Sequence, residues 1–148
     1  MRELLDAVAS GDLSPAAAEA ELRGYATGEA GRFDAAREDR AGVPEAVLAD
    51  GKTPDETAEM TALAVETTNR GLVTRADDAA TTAIRERVGD EFPGASIHRD
   101  ARARTVVVHG TGYERPTLDA TVGIVTAGTA DGAPAGEAAV VLEELGVT

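Results

Sequence analysis

Leu4, Leu5 and Val8 share one face of a helix predicted over residues 2–9, which Gly11 closes. Ser14-Pro15 then reads as an N-cap followed by a helix-starting proline, opening an Ala-rich helix to about Arg23. The small, acidic, Gly-containing stretch 24–31 reads as a loop, and residues 33–40 are polar with charges in register and are assigned to neither helix nor strand. Residues 43–48 suit a short strand with Pro44 at its first position, and Gly51-Lys52 suits a turn. Thr53-Pro54-Asp55-Glu56 is a capping box with proline at N1. The helix it opens should bury Met60, Leu63 and Ala64 and end near Asn69-Arg70-Gly71.

A short strand follows over 71–75, then a helix capped by Asp77 or Asp78 that buries Ala80, Ile84 and Val88 and breaks across 89–94. Residues 96–99 and 104–109 read as a hairpin, and the Gly- and Pro-containing stretch 110–116 as a linker. Thr121-Val122-Gly123-Ile124-Val125 is a continuous apolar run of the kind found in buried parallel strands. After it come the loop 126–131 and a helix expected to bury Ala138, Val141, Leu142 and Leu145. The predicted fold is therefore an α+β N-terminal domain over 1–118, followed at 119–148 by the first βα unit of a flavodoxin-like, three-layer α/β domain.

Charge narrows the range of partners. The chain has 27 acids against 14 bases, a formal net charge of −13, and Lys52 is its single lysine. With no basic stripe to offset that charge, the phosphate backbone of nucleic acid is repelled. So acidic and Lys-poor a surface stays hydrated in concentrated salt, which points to a halophilic cytoplasm; an ordinary acidic protein is the competing reading. The acids at the N-terminus do not suit a signal peptide, and no apolar run is long enough to span a membrane. A cytoplasmic protein is expected. The absence of Cys removes disulfides, thiolate zinc sites and a cysteine nucleophile from the chemistry of these residues.

Candidate chemistry lies in two places. In open α/β sheets ligands bind beyond the carboxyl ends of the strands, where a helix N-terminus presents free N–H groups to a phosphate. In the loop after the apolar run, Thr126, Gly128, Thr129 and Asp131 occupy that position, with Thr129 and Asp131 as simple capping residues the alternative. The second place gathers the cations Arg37, Arg40 and Lys52 with Thr74-Arg75 at a strand end, suited to an anionic ligand such as a nucleotide phosphate, or else to ordinary pairing with neighbouring acids. His109-Gly110-Thr111-Gly112 imitates a dinucleotide fingerprint but lacks its third glycine and its helix, so it reads as a turn. His98 and His109 lack a third ligand and read as structural or exposed, not metal-binding.

Taken in order, Met1-Arg2-Glu3-Leu4-Leu5, Gly11-Asp12-Leu13-Ser14-Pro15, Asp34, Arg37, Arg40-Ala41-Gly42-Val43-Pro44-Glu45, Gly51-Lys52-Thr53-Pro54 and Thr74-Arg75 resemble the LarB family. Val125-Thr126-Ala127-Gly128-Thr129-Ala130-Asp131 resembles the start of that family's C-terminal domain, which is related to the aminoimidazole ribonucleotide carboxylase (PurE) family. The resemblance implies a carboxylase/hydrolase that opens nickel-pincer nucleotide cofactor synthesis. Its substrates would be nicotinic acid adenine dinucleotide and CO2 or bicarbonate, and its products pyridinium-3,5-biscarboxylic acid mononucleotide and AMP. It implies no permanently bound cofactor, leaves room for Mg, and makes the full-length form a homo-oligomer. The family's cysteine would lie beyond residue 148, so the chain is expected to be a truncated or split member without its own catalytic residue, inactive alone. The alternatives are a nucleotide-binding or subunit-docking module without catalysis, or a purine-pathway protein like aminoimidazole ribonucleotide carboxylase.

Overall fold

The computed structural model describes residues 1–148, with side chains for all but Ala16 and Ala17. Helices α1 (Arg2–Ser10) and α2 (Pro15–Leu22) lead into a two-stranded antiparallel sheet of β1 (Tyr25–Gly28) and β2 (Gly31–Asp34). Helix α3 (Arg37–Ala41) and strand β3 (Val47–Leu48) follow, then α4 (Pro54–Thr68), β4 (Arg70–Thr74), α5 (Asp78–Glu91), β5 (Ser96–Asp100), β6 (Thr105–His109) and α6 (Gly132–Glu144). The larger sheet has the order β3-β4-β6-β5, with β3 parallel to β4 and the other neighbours antiparallel. The α+β class holds.

Alternation along the strands sorts the layers. Val73, Val106 and Val108 join Ile84 and Val88 of α5 and Ala64 and Val65 of α4 in the main core. Thr61 and Val65 of α4 come so close to Gly71 that a Cβ there would lie 2.9 Å from the Thr61 methyl. Arg70, Leu72 and Thr74 point to the opposite face, as do their β6 neighbours Val107 and His109, and α6 lies over that face. Both faces of β4 are thus covered, and all five of its residues are buried.

Helix α4 starts as its box predicts. Thr53 Oγ1 accepts from the Glu56 amide at 3.2 Å, and Glu56 Oε2 accepts from the Thr53 amide at 2.8 Å. Thr53→Ala is expected to cost about 1 kcal/mol in urea unfolding. The Thr53 amide, and then its hydroxyl, hold the Glu56 carboxyl below its ordinary value. Because the folded value is the lower one, this contribution is complete above the ordinary carboxylate range and is lost as pH falls through the depressed folded value. The stability difference between wild type and Glu56→Ala should therefore be constant near neutrality and vanish in acid.

Several expectations need correction. Residues 24–31 are not a loop: β1 and β2 form a hairpin through Glu29-Ala30, whose Ala30 amide donates to Glu59 of α4 at 2.9 Å. That anchor is tertiary, so local composition did not show it. The strand expected over 43–48 contracts to Val47–Leu48, while α5 runs through Gly89 to Glu91. Residues 121–125 lie outside both sheets, with Val122 48%, Ile124 42% and Val125 95% exposed. The segment hydrogen-bonds back to the chain end, Val122 N to Thr148 O at 3.0 Å. An apolar run becomes a buried parallel strand only where a neighbouring strand supplies its ladder. Helix α6 is present, but it buries Glu144 rather than Ala138, which is exposed; Val141, Leu142 and Leu145 are half-buried.

Candidate functional site

The parallel strands β3 and β4 end side by side, and each leads through a short turn into a helix. Between these turns is a recess of about 120 Å3 lined by Asp50, Lys52, Arg75, Asp77 and Arg104, among others. The Ala49 amide donates to the Thr74 carbonyl at 3.0 Å, carrying the β3–β4 ladder past Leu48 and bringing the two turns together. Lys52 Nζ donates to the Leu48 carbonyl at 2.8 Å, which folds its ammonium back over the end of β3.

Arg75 and Arg104 both have left-handed backbone, φ 57° and 56°. They brace each other: Arg104 Nη2 donates to the Arg75 carbonyl at 2.9 Å, and the Ala76 amide donates to the Arg104 carbonyl at 2.8 Å. Left-handed backbone costs an L-residue about 1–2 kcal/mol, and such conformations cluster where function needs a side chain aimed in one direction. The Arg75 guanidinium, half exposed, meets Asp50 and Glu137 only at 3.8 Å each. Half-exposed ion pairs of that length are weak, leaving its donors available to an anion.

Of the cations singled out in the sequence, Lys52 and Arg75 thus meet beside Thr74, joined by Arg104, which sequence reasoning missed. Arg37 and Arg40 do not come to this recess. They belong to α3: Arg37 pairs with Glu45 at 3.3 Å and Arg40 with Asp34 at 2.5 Å. The Arg40 guanidinium also lies 5.7 Å from the Tyr25 ring centroid, and the Asp34 hydrogen bond raises its pKa above the ordinary value. These two arginines tie α3 to the β1–β2 hairpin and the turn before β3.

Thr126, Gly128, Thr129 and Asp131 are exposed. Asp131 Oδ2 accepts from the amides of Ala127 and Gly128, each at 3.2 Å, so this carboxylate occupies amides that a phosphate would use. Arg102 leans over the start of α6: a Cβ on Gly132 would lie 2.8 Å from its Nε.

Beneath α6 is a buried charge cluster that the sequence analysis did not anticipate. Arg70, 5% exposed, donates to Glu38 at 2.5 Å, to the Tyr113 hydroxyl at 2.7 Å and to the Glu144 carbonyl at 3.1 Å. The Glu144 carboxylate, 1% exposed, receives Arg115 at 2.9 Å and lies 3.0 and 3.1 Å from His109 Nε2. Burial raises the Tyr113 pKa, with Arg70 opposing that shift. The available signal was an arginine at the head of an otherwise apolar strand and a glutamate on the sheet-facing side of a small-residue helix. Among the described residues, no group of three or more His, Cys, Asp or Glu is placed to hold a metal ion, and no helix is long and apolar enough to cross a membrane.

An uncharacterized protein of Methanocaldococcus jannaschii is 33% identical to the chain over 155 aligned positions, covering 99% of this chain and 58% of that protein. The chain therefore spans less than two thirds of this relative's length. A family model described as the LarB/PurE-like N-terminal domain matches residues 25–110, from the first residue of β1 to just past β6. The match takes in Lys52, Thr74, Arg75 and Arg104, and with them Arg70 and His109, but neither Glu144 nor the loop 126–131. With both sheets and the strand-end recess inside the matched region, the chain belongs to the LarB/PurE-like N-terminal domain family.

Proposed function

We propose that this chain is the substrate-holding N-terminal part of a carboxylase/hydrolase. The reaction converts nicotinic acid adenine dinucleotide and CO2 into pyridinium-3,5-biscarboxylic acid mononucleotide and AMP, for nickel-pincer cofactor synthesis. The observation that carries the reading is the meeting of Lys52, Arg75 and Arg104 at the carboxyl ends of two parallel strands in a chain of net charge −13. A dinucleotide approaching such a surface is repelled except where cations are concentrated, and guanidinium forks match phosphate oxygens. The part assigned to these residues is to hold the phosphoanhydride. Activating the pyridinium ring by transient thiolate addition would make a ring carbon nucleophilic toward CO2; the chain has no Cys, so that thiolate is not among its residues. A cytoplasmic setting and a homo-oligomeric full-length protein belong to the same proposal.

Calorimetric titration of the chain with nicotinic acid adenine dinucleotide in concentrated salt should give saturable binding near one equivalent. A flat, non-saturating trace would remove the support the recess gives. A second reading, a subunit-docking module without catalysis, is favoured by the exposed Leu118, Val122, Ile124 and Val125.

A further inference from the structure

Helix α6 is tied to both ends of β4. Its last residue, Glu144, is held where β4 begins: the carbonyl accepts from Arg70 at 3.1 Å, and the carboxylate has Arg115 at 2.9 Å and His109 within 3.1 Å. Glu137 precedes Glu144 by two helical turns and so shares its face. It reaches the other end of the strand, where its Oε2 lies 3.8 Å from Nε of Arg75. The two ties are unequal. Glu144 is fully buried among its partners, whereas Glu137 is half-buried and Arg75 exposed.

Little else holds the first half of α6. Residues 132–139 are Gly, Ala and Pro apart from Glu137, and none of them is buried. Side chains that small remove little apolar area from water, and glycine inside a helix weakens it. Gly136 packs closely on Ala103. The connection that leads into the helix, residues 114–131, is exposed throughout and leaves its start free to lift. Residues 140–144, by contrast, bring two valines, a leucine and the buried glutamate.

Glu137 therefore meets the same guanidinium that the strand-end recess offers to an anion. A carboxylate and a phosphate are alternative acceptors for the same N–H donors. Asp50 comes as near to Arg75, but it stands on the turn after β3 and ties nothing to α6. We infer that α6 is an autoinhibitory strap, with Glu137 as an internal stand-in for an anionic ligand at Arg75. An anion that takes Arg75 frees residues 132–139, while Glu144 keeps the end of the helix docked. The inference rests on the proposed role of the recess in holding phosphate. By linkage the coupling is mutual: loosening the Glu137 end strengthens anion binding by the factor with which the anion loosens that end.

Calorimetric titration with inorganic pyrophosphate, at one salt concentration throughout, tests this. Glu137→Gln should bind it about two- to fivefold more tightly than wild type, the weight of an exposed ion pair. Glu143→Gln removes the same charge from an exposed position on the same helix and should bind it as wild type does. In an Arg75→Gly background, Glu137→Gln should bring no gain. Pyrophosphate should also quicken amide exchange over 132–139 in the wild type, with 140–144 unchanged, and Glu137→Gln should show that faster exchange without it. Equal affinities of wild type and Glu137→Gln, an equal gain from Glu143→Gln, a gain that survives Arg75→Gly, or exchange over 132–139 that pyrophosphate leaves unmoved overturns the inference. Tighter pyrophosphate binding by Glu137→Gln with no calorimetric binding of the dinucleotide would uphold the strap and sink the proposed reaction. Binding of both ligands that is indifferent to Glu137→Gln would do the reverse, and pyrophosphate that binds neither form would sink the strap and the recess together.

Discussion

Replacing Arg70 with Met is expected to lower the unfolding free energy by about 3–5 kcal/mol. Arg70 is buried where β4 begins, and its two terminal nitrogens serve Glu38, Tyr113 and the Glu144 carbonyl. Methionine fills much of the same volume, so the loss reports charge and hydrogen bonding more than a cavity. It leaves the buried Glu144 with one fewer nearby cation, Arg70 Nη1 being 3.9 Å from its Oε2. It also leaves the end of α6 without its donor from the sheet. Amide hydrogen exchange across 132–144 should therefore quicken more than exchange in α4. Adding Glu144→Leu to Arg70→Met should not recover the loss, because the Glu144 carboxylate keeps Arg115 and His109 as partners when Arg70 is gone, and removing it leaves those two unpaired. A single-variant loss below about 1 kcal/mol would mean that the cluster behaves as surface pairs do.

Replacing Arg75 with Gly should separate binding from folding. Glycine accepts the φ of 57° without a Cβ clash, so relief of backbone strain offsets the greater freedom of the unfolded chain, and stability should stay within about 1 kcal/mol of wild type. Its carbonyl still accepts from Arg104. Affinity for nicotinic acid adenine dinucleotide should fall about 10- to 100-fold, the weight of one hydrogen bond to a charged group. Arg37→Ala removes a cation of equal charge from a different place and should leave that affinity within about threefold of wild type, by the weakness of exposed charges at a distance. Equal losses from the two variants would assign the binding to overall charge and not to the recess.

How far the site was legible follows from the range of the signals. Lys52, Thr74 and Arg75 stand at strand ends that turn residues and caps announce, so their gathering could be read from the chain. Arg37 and Arg40 carry the same charge in an unclassified stretch, and nothing local said that α3 would spend them on Asp34 and Glu45. Arg104 escaped notice because its place beside Arg75 depends on β6 pairing antiparallel with β4. For α6, the apolar positions suggested one buried face, yet the helix turns Gly136 and Glu144 to the sheet. A Cβ on Gly136 would come within 2.6 Å of the Ala103 side chain, so close approach and a charge cluster oriented this helix.

The sequence by itself determined the helices α4 and α5, their caps, the β5–β6 hairpin and the acidic character of the surface. Periodicity, turn chemistry and charge act over a few residues and need no partner. Only the tertiary structure decided that Arg70 and Glu144 would be buried close together, that residues 25–34 would pair as strands, and that 121–125 would stay outside the sheets. Each of those outcomes depends on which distant segment supplies a hydrogen-bond ladder or a counter-charge, and that information is carried by no local stretch of the chain.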